Sequence, residues 1–178
     1  NSFDLDGWSL SKVKDFSLLC DFDCDEQDLN EFFKIDCIHQ KNDLLNETYV
    51  LTEMSVKECI PIALISLCND AIRREYLVNW LNYGGTKKNY PSYPAVKIAR
   101  FGVHRDFKRK HLGSHAINMI KKLFITENRT GCRFVTVDAY NKPGVLDFYQ
   151  RNGFQFFSDK DKNRENRAMF YDLLRLKI

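Results

Sequence analysis

Apolar positions recur along this chain with two different spacings, and the order of the spacings predicts its elements. Weak alternation through "WSLSKVKDFSLL" predicts a first strand. In "FDCDEQDLNEFFKIDCIHQK" the period lengthens. Leu29, Phe32, Phe33 and Cys37 repeat every three to four residues behind Asp25, Glu26 and Asp28, acids that suit the positive end of a helix. Two β-branched or apolar runs, "TYVLTE" and "CIPIALISLC", predict a hairpin-like pair near a sheet centre. After residue 94 the elements follow regularly: strand "AVKIARFGV", turn "KRKHLGS", a helix from Leu112 to about Glu127, strand "RFVTVDAY", helix "VLDFYQRN" stopped by Gly153, and a strand-like "MFYDLLRL". In the long helix Leu112, Ala116, Met119, Ile120, Leu123 and Phe124 form one stripe, so Asn118, Lys121 and Lys122 are expected to face away. Strands alternating with helices define an α/β protein.

Residues 69 to 94 interrupt this order with a helix-like "AIRREYLVNWL", two glycines and a turn-rich "TKKNYPSYP". We read them as an insertion or a lid. Tyr76, Trp80, Tyr83, Tyr90 and Tyr93 could line an acceptor pocket, but aromatic residues at helical spacing more often pack on a core. A length of 178 residues with 44% hydrophobic content suits a single domain spanning 1–178. No apolar run reaches the roughly 20 residues a membrane helix needs, and no basic-then-apolar leader opens the chain, so the expectation is a cytoplasmic protein without membrane contact. The six cysteines include no C-x-x-C pair; Cys20, Cys24, Cys37 and His39 lack the doubled short spacing of a structural zinc site, and no metal is expected. Charge is uneven. Residues 1 to 60 carry 5 basic and 14 acidic side chains, net −9, and the remainder is net +12. A positive second part favours an anionic ligand or partner, although a solvated lysine-rich surface explains much of the same charge.

The turn "KRKHLGS" is the place where that charge becomes chemistry. A strand running through a short basic turn into a helix aims several backbone N–H groups at one point, and the helix dipole reinforces them. Gly113 lets a phosphate approach the main chain, and Lys108, Arg109 and Lys110 add charge around it. The chain has neither a Walker loop nor a three-glycine dinucleotide fingerprint, which excludes the usual NTPase and dehydrogenase readings.

With its surroundings, this turn resembles the GCN5-related N-acetyltransferases, whose signature is a bulged strand, then [QR]-x-x-G-x-[GA], then a long helix. Lys108, His111 and Gly113 stand at the three defined positions, with Gly113 the strict match and His111 in place of the first glycine. The stretch "NKPGVLDFYQRNGF" is similar to the family's N-x-x-A-x-x-F-Y-x-x-x-G-F in Asn141, Phe148, Tyr149, Gly153 and Phe154. "FDCDEQDLNEFF" resembles the F-x-C-x-x-x-x-L-N-x-F segment of a branch that includes toxin acetyltransferases of toxin–antitoxin pairs, which acetylate the amino group of aminoacyl-tRNA.

The resemblance implies a mixed, mostly antiparallel central sheet with splayed central strands, flanked by helices. It also implies acetyl-CoA as cosubstrate and an amine acceptor, whether a small molecule, a protein or aminoacyl-tRNA. It places coenzyme A on Phe101, Gly102, Val103, the stretch Lys108, Arg109, Lys110, His111, Leu112, Gly113 and Ser114, and Asn141. The amide of Gly102 or Val103 faces the acyl oxygen, and Tyr149 protonates the departing thiolate. An antitoxin and a second copy of the chain are the protein partners it suggests. Taken from composition alone, a tyrosine on an apolar helix face is ordinarily core, and His111 at a glycine position leaves open an inactive binding module on the same fold. Asp138, Glu127 and His104 are general-base candidates by residue type only.

Overall fold

Asp6 and Gly7 both adopt positive φ, 50° and 83°, the backbone of a tight mirror-image turn that folds β1 (Ser2–Leu5) back on β2 (Trp8–Lys12) with Leu5 opposite Trp8. The computed structural model describes residues 2–56, 60–77, 90–128 and 130–176. β2 pairs antiparallel with β3 (Glu47–Glu53), and β3 with β4 (Ala63–Arg73), so the expected pair of central runs forms with Leu51 opposite Ala63. Beyond them come β5 (Ser92–Val103), β6 (Phe134–Tyr140), β7 (Gln155–Phe156) and β8 (Asn166–Asp172). The strands make one eight-stranded sheet in the order β1-β2-β3-β4-β5-β6-β8-β7, and β6–β8 and β7–β8 are also antiparallel. This is the α/β class expected from the sequence.

The chain divides into two compact units. The first takes Asn1–Cys68 and Ile98–Ile120. Its core gathers Val13, Leu19, Phe22, Cys24, Phe32, Phe33, Cys37, Val50 and Leu64. The expected acidic-fronted helix is α1 (Gln27–Glu31), a wider π turn over Phe32–Asp36, and α2 (Cys37–Asn42). An extra residue in that turn re-aims the side chains around it. The adjacent Phe32 and Phe33 are both buried, with ring centroids 5.3 Å apart.

The second unit takes Asn69–Lys97 and Lys121–Ile178. Ile72, Leu77, Tyr93, Ala95, Phe134 and Phe170 form a core cluster within it. Over its described residues, 71–77, the predicted helix "AIRREYLVNWL" is not found: β4 continues to Arg73 and passes into a 3-10 turn, Arg74–Tyr76. The side chains from Asn69 to Arg73 alternate in burial, the signature of a strand with one wet face, and Asp70 accepts a hydrogen bond from Thr136 Oγ1. Residues 78–89, with Trp80 and Tyr83, lie outside the described residues. Of the remaining aromatic residues there, Tyr93 packs edge-on against Phe134, while Tyr76 and Tyr90 are exposed.

α3 (Leu112–Thr126) supplies residues to both units. Of the predicted stripe Ala116, Met119 and Ile120 are buried and Leu112, Leu123 and Phe124 half-buried; Ile117, outside it, is also buried, and Asn118 is exposed. Lys121 departs from the pattern: it is 3% exposed rather than facing solvent. α4 (Pro143–Arg151) begins with a proline at a position where no amide partner is lost. It ends in a Schellman closure, Gly153 N–H donating to Gln150 O at 2.8 Å and Phe154 N–H to Tyr149 O at 3.0 Å. The Phe154 ring packs on Tyr149 at 5.3 Å, the apolar clasp that accompanies such an end.

Gly153 has φ +80°, and a Cβ there would lie 3.0 Å from Tyr171 Cε2. Gly153→Ala is therefore expected to cost about 2 kcal/mol, from left-handed strain and contact with a fixed ring. A thermal melt should show Tm lower by roughly 4 to 8 °C, the shift such a loss produces in a chain of this size.

Candidate functional site

Within the first unit, the strand-to-helix turn is held from below by the segment Phe22–Asn30. Arg105 N–H donates to Asp23 O at 2.8 Å, and its guanidinium meets the Asp23 carboxylate at 2.9 Å. That carboxylate also accepts from Asp25 N–H and Asn30 Nδ2, and these bonds, the Asp25 amide first, hold it below the ordinary carboxylate range. Asn30 Oδ1 accepts from Cys24 N–H at 2.9 Å, so one side chain holds both Asp23 and Cys24. The Phe22 ring meets Phe33 at 5.7 Å and His104 at 5.7 Å. The front motif is thus a scaffold for the turn. Sequence reasoning identifies Asp25 only as a helix-start acid and misses Asp23 and Asn30 as supports; an Asn six residues after a cysteine carries no local signal of this closure.

Gly102 is buried, and a Cβ on it would stand 3.3 Å from Cys24 Sγ and 3.3 Å from Phe33 Cε2. β5 therefore lies close on the front segment here, and only a glycine fits without displacement. Phe101 and Val103 on either side are half-buried. His104 Nδ1 accepts from Asp106 N–H at 3.3 Å and opens a 3-10 turn, Arg105–Phe107. The other two base candidates are placed as follows: Asp138, in the second unit, is ion-paired with Lys97, and Glu127 follows the last turn of α3, exposed.

Past that turn, Arg109 and His111 both adopt left-handed backbone, φ 61° and 59°. Left-handed residues alternating with ordinary ones curl successive amides toward a common centre, a concavity that binds anions. His111 O accepts the first helical bond, from His115 N–H at 3.1 Å, so the amides of Leu112, Gly113 and Ser114 lie ahead of the intrahelical ladder of α3. No acidic side chain occupies that first turn. The structure thus brings together Lys108, Arg109, Lys110, His111, Leu112, Gly113 and Ser114 around one backbone feature. Lys108, expected to lend charge to an anion, is instead bound by Asp25 at 2.9 Å, while Arg109, Lys110 and His111 are exposed.

In the second unit Tyr149 is buried, 5% exposed, between the rings of Phe148 and Phe154. Burial alone pushes its phenol well above the ordinary tyrosine value. Such a group stays protonated through neutral and alkaline pH, the state a proton donor needs. Asn141, placed by the sequence on the cofactor, donates from Nδ2 to Lys162 O and Arg164 O, both at 2.8 Å, and so fixes the loop before β8. Among the described residues no group of three or more metal-ligating side chains occurs, and no helix is long and apolar enough to cross a membrane.

Residues 71–154 match the family model of the acetyltransferase (GNAT) family. This match covers 84 of the 178 residues and supports reading the chain as an acyltransferase of this family. Solved structures with the same fold include a tyrosine-to-phenylalanine mutant of KacT, with TM-score 0.76 and 18% identity over 94% of this chain and 96% of that one. A second is AtaT complexed with acetyl-methionyl-tRNAfMet, with TM-score 0.68 and 21% identity over 93% and 94%. A third is a tyrosine-to-phenylalanine mutant of the toxin AtaT, bound to the C-terminus of the antitoxin AtaR and acetyl-CoA, with TM-score 0.66 and 19% identity over 95% of each. A comparison with curated protein sequences finds no match.

Since folding keeps the Tyr149 phenol protonated where the unfolded chain releases its proton, stability attributable to this group is intact below about pH 10 and declines as pH rises beyond it. A phenolate absorbance titration of the wild type minus Tyr149→Phe should show no ionisation from this residue until pH is well past 10 or the fold is lost.

Proposed function

We propose that this protein transfers the acetyl group of acetyl-CoA to a primary amine by direct attack, and that the turn 108–114 holds the coenzyme A diphosphate. The carrying observation is the pair of left-handed residues, Arg109 and His111, set immediately before the N-terminus of α3. The curled amides of the turn and those of the first helical residues supply donors from the main chain, which is the recognition a diphosphate requires. The exposed Arg109 and Lys110 add long-range attraction.

A neutral amine attacks the thioester carbonyl directly, so no protein nucleophile is needed and alignment supplies most of the rate. The carbonyl oxygen gains negative charge as the C–N bond forms, and the amide of Gly102 or Val103 is the proposed donor to it. Collapse of the tetrahedral adduct breaks the C–S bond, and the departing thiolate takes its proton from Tyr149. The raised phenol value supports this role, because the acid is fully loaded at neutral pH. Phe101, Leu112, Ser114 and Asn141 complete the proposed coenzyme contacts. The domain is proposed to act as one catalytic unit in the cytoplasm.

For the acceptor, aminoacyl-tRNA is the reading that specific observations favour. A neighbour of the same fold is complexed with acetyl-methionyl-tRNA, and residues 61 to 178 carry the net +12 that a phosphate backbone attracts. An antitoxin partner and a homodimer belong to the same proposal, supported by the antitoxin-bound neighbour for the former.

Tyr149→Phe should lower kcat by about 100-fold or more with the acetyl-CoA KM retained, read as thiol release. Undiminished turnover removes Tyr149 from the mechanism. His111→Val places a β-branched residue at φ 59° and should weaken acetyl-CoA binding by about ten-fold or more in calorimetry, whereas His111→Gly retains it. In a cell-free extract given acetyl-CoA, the wild type is expected to stop translation and Tyr149→Phe to spare it; unimpaired translation with active enzyme excludes the tRNA acceptor.

A further inference from the structure

The C-terminal end of α4 rests on a buried ammonium group that the reaction above does not use. Lys121 Nζ donates to Asn152 O at 2.6 Å and lies 3.8 Å from the Tyr171 ring centre and 5.4 Å from that of Phe154. Asn152 is the residue that caps α4, and its own Nδ2 donates back to Phe148 O at 2.9 Å. From Asn152 the chain passes through Gly153 to Phe154, whose amide bonds the Tyr149 carbonyl and whose ring packs on the Tyr149 ring. One cation therefore fixes the helix-end carbonyl and the ring that brackets Tyr149.

A lysine in this position is costly. Loss of hydration, with the nearby positive Arg175 second, pushes Lys121 down to about 8. Among the described residues the titratable groups found to act on it are Arg175 and Tyr171, and neither offers a carboxylate. Buried charges of this kind are often replaced by apolar side chains at no loss of folding stability. What an apolar chain cannot do is hold a helix-terminal carbonyl at a fixed point while pinning two rings. Reactions that depend on alignment are sensitive to displacements of about 1 Å.

We propose that Lys121 is a positioning residue for Tyr149, anchoring the end of α4 so that the phenol is held in the orientation proton transfer needs. The inference rests on the reading of Tyr149 as the general acid.

The test is a double-mutant cycle of Lys121→Met and Tyr149→Phe, with kcat and the acetyl-CoA KM measured for each variant and folding followed by circular dichroism. Lys121→Met is expected to reduce kcat by about ten-fold with KM unchanged. Combined with Tyr149→Phe it should add no further loss, because the anchored group is already gone. Lys121→Arg, which keeps a donor and a charge, should recover most of kcat. Unchanged kcat in Lys121→Met, or losses that multiply in the double variant, overturns the proposal. Should Lys121→Met fail to fold, Lys121→Gln takes its place in the cycle, and the same two results decide for or against. Full turnover in Tyr149→Phe defeats the acid reading itself; turnover lost there but kept in Lys121→Met defeats this inference alone.

Discussion

A helix leaves backbone donors outside its own ladder at its start and acceptors outside it at its end, and this protein treats two such ends in opposite ways. At the start of α3 no acidic side chain enters the first turn, and two residues with left-handed backbone add further amides to the same concavity. At the end of α4 the acceptors are closed off: Gly153 and Phe154 amides, the Asn152 side chain and the Lys121 ammonium all donate into the last turn. The first arrangement suits an anion that comes and goes. The second suits a side chain that must not move.

The start of α3 is also where electrostatics are held in reserve. Lys108 is the first basic residue of the turn, yet Asp25 binds it at 2.9 Å, with both side chains partly exposed. Exposed pairs of this sort contribute little to stability, on the order of 1 kcal/mol at most, so a polyanion can displace Asp25 at small cost. Asp25 itself sits at φ 60°, fixed by the bond from its amide to Asp23. The acidic first 60 residues and the basic remainder are therefore not two independent surfaces. At this point a carboxylate of the one neutralises a lysine of the other, within a scaffold that also sets the course of β5 past Gly102.

Much of this is legible in the chain, and the failures have physical causes. The strand–turn–helix at 95–126 can be read because its apolar spacing changes abruptly at Lys108, and the end of α4 because Asn-Gly-Phe after an apolar stripe is itself a closure signal. β1 escapes the pattern although Asp6-Gly7 is a hairpin turn, since the strand before it is only four residues long and has no fully buried side chain. The residues after Cys68 read as helix because Arg, Arg and Glu are helix formers; they extend β4 because Asp70 finds Thr136 across the sheet. Lys121 reads as solvent-facing because charge is the strongest local cue for exposure, and nothing local announces a helix-end carbonyl contributed from residue 152. Supports of this kind are long-range by nature.

Left-handed backbone also occurs at Asp6, Asp25 and Leu44, but four departures from local rules bear on the proposed reaction. Arg109 and His111 hold backbone that costs each of them about 1 kcal/mol or more relative to an ordinary turn, and histidine is among the side chains that tolerate it best. Lys121 keeps a charge where water is absent. Tyr149 keeps a phenol where ionisation is suppressed. The departures at Arg109, His111 and Tyr149 fall on groups that the proposed reaction uses, and that at Lys121 on the residue proposed to position one of them. In the proposed reaction the first two shape the diphosphate site, Tyr149 is the proton donor, and Lys121 is the residue proposed to anchor it. A sequence selected only to fold would replace all four with less strained or less polar residues. Their coincidence on one proposed reaction is what favours a catalyst over an inert member of the same fold.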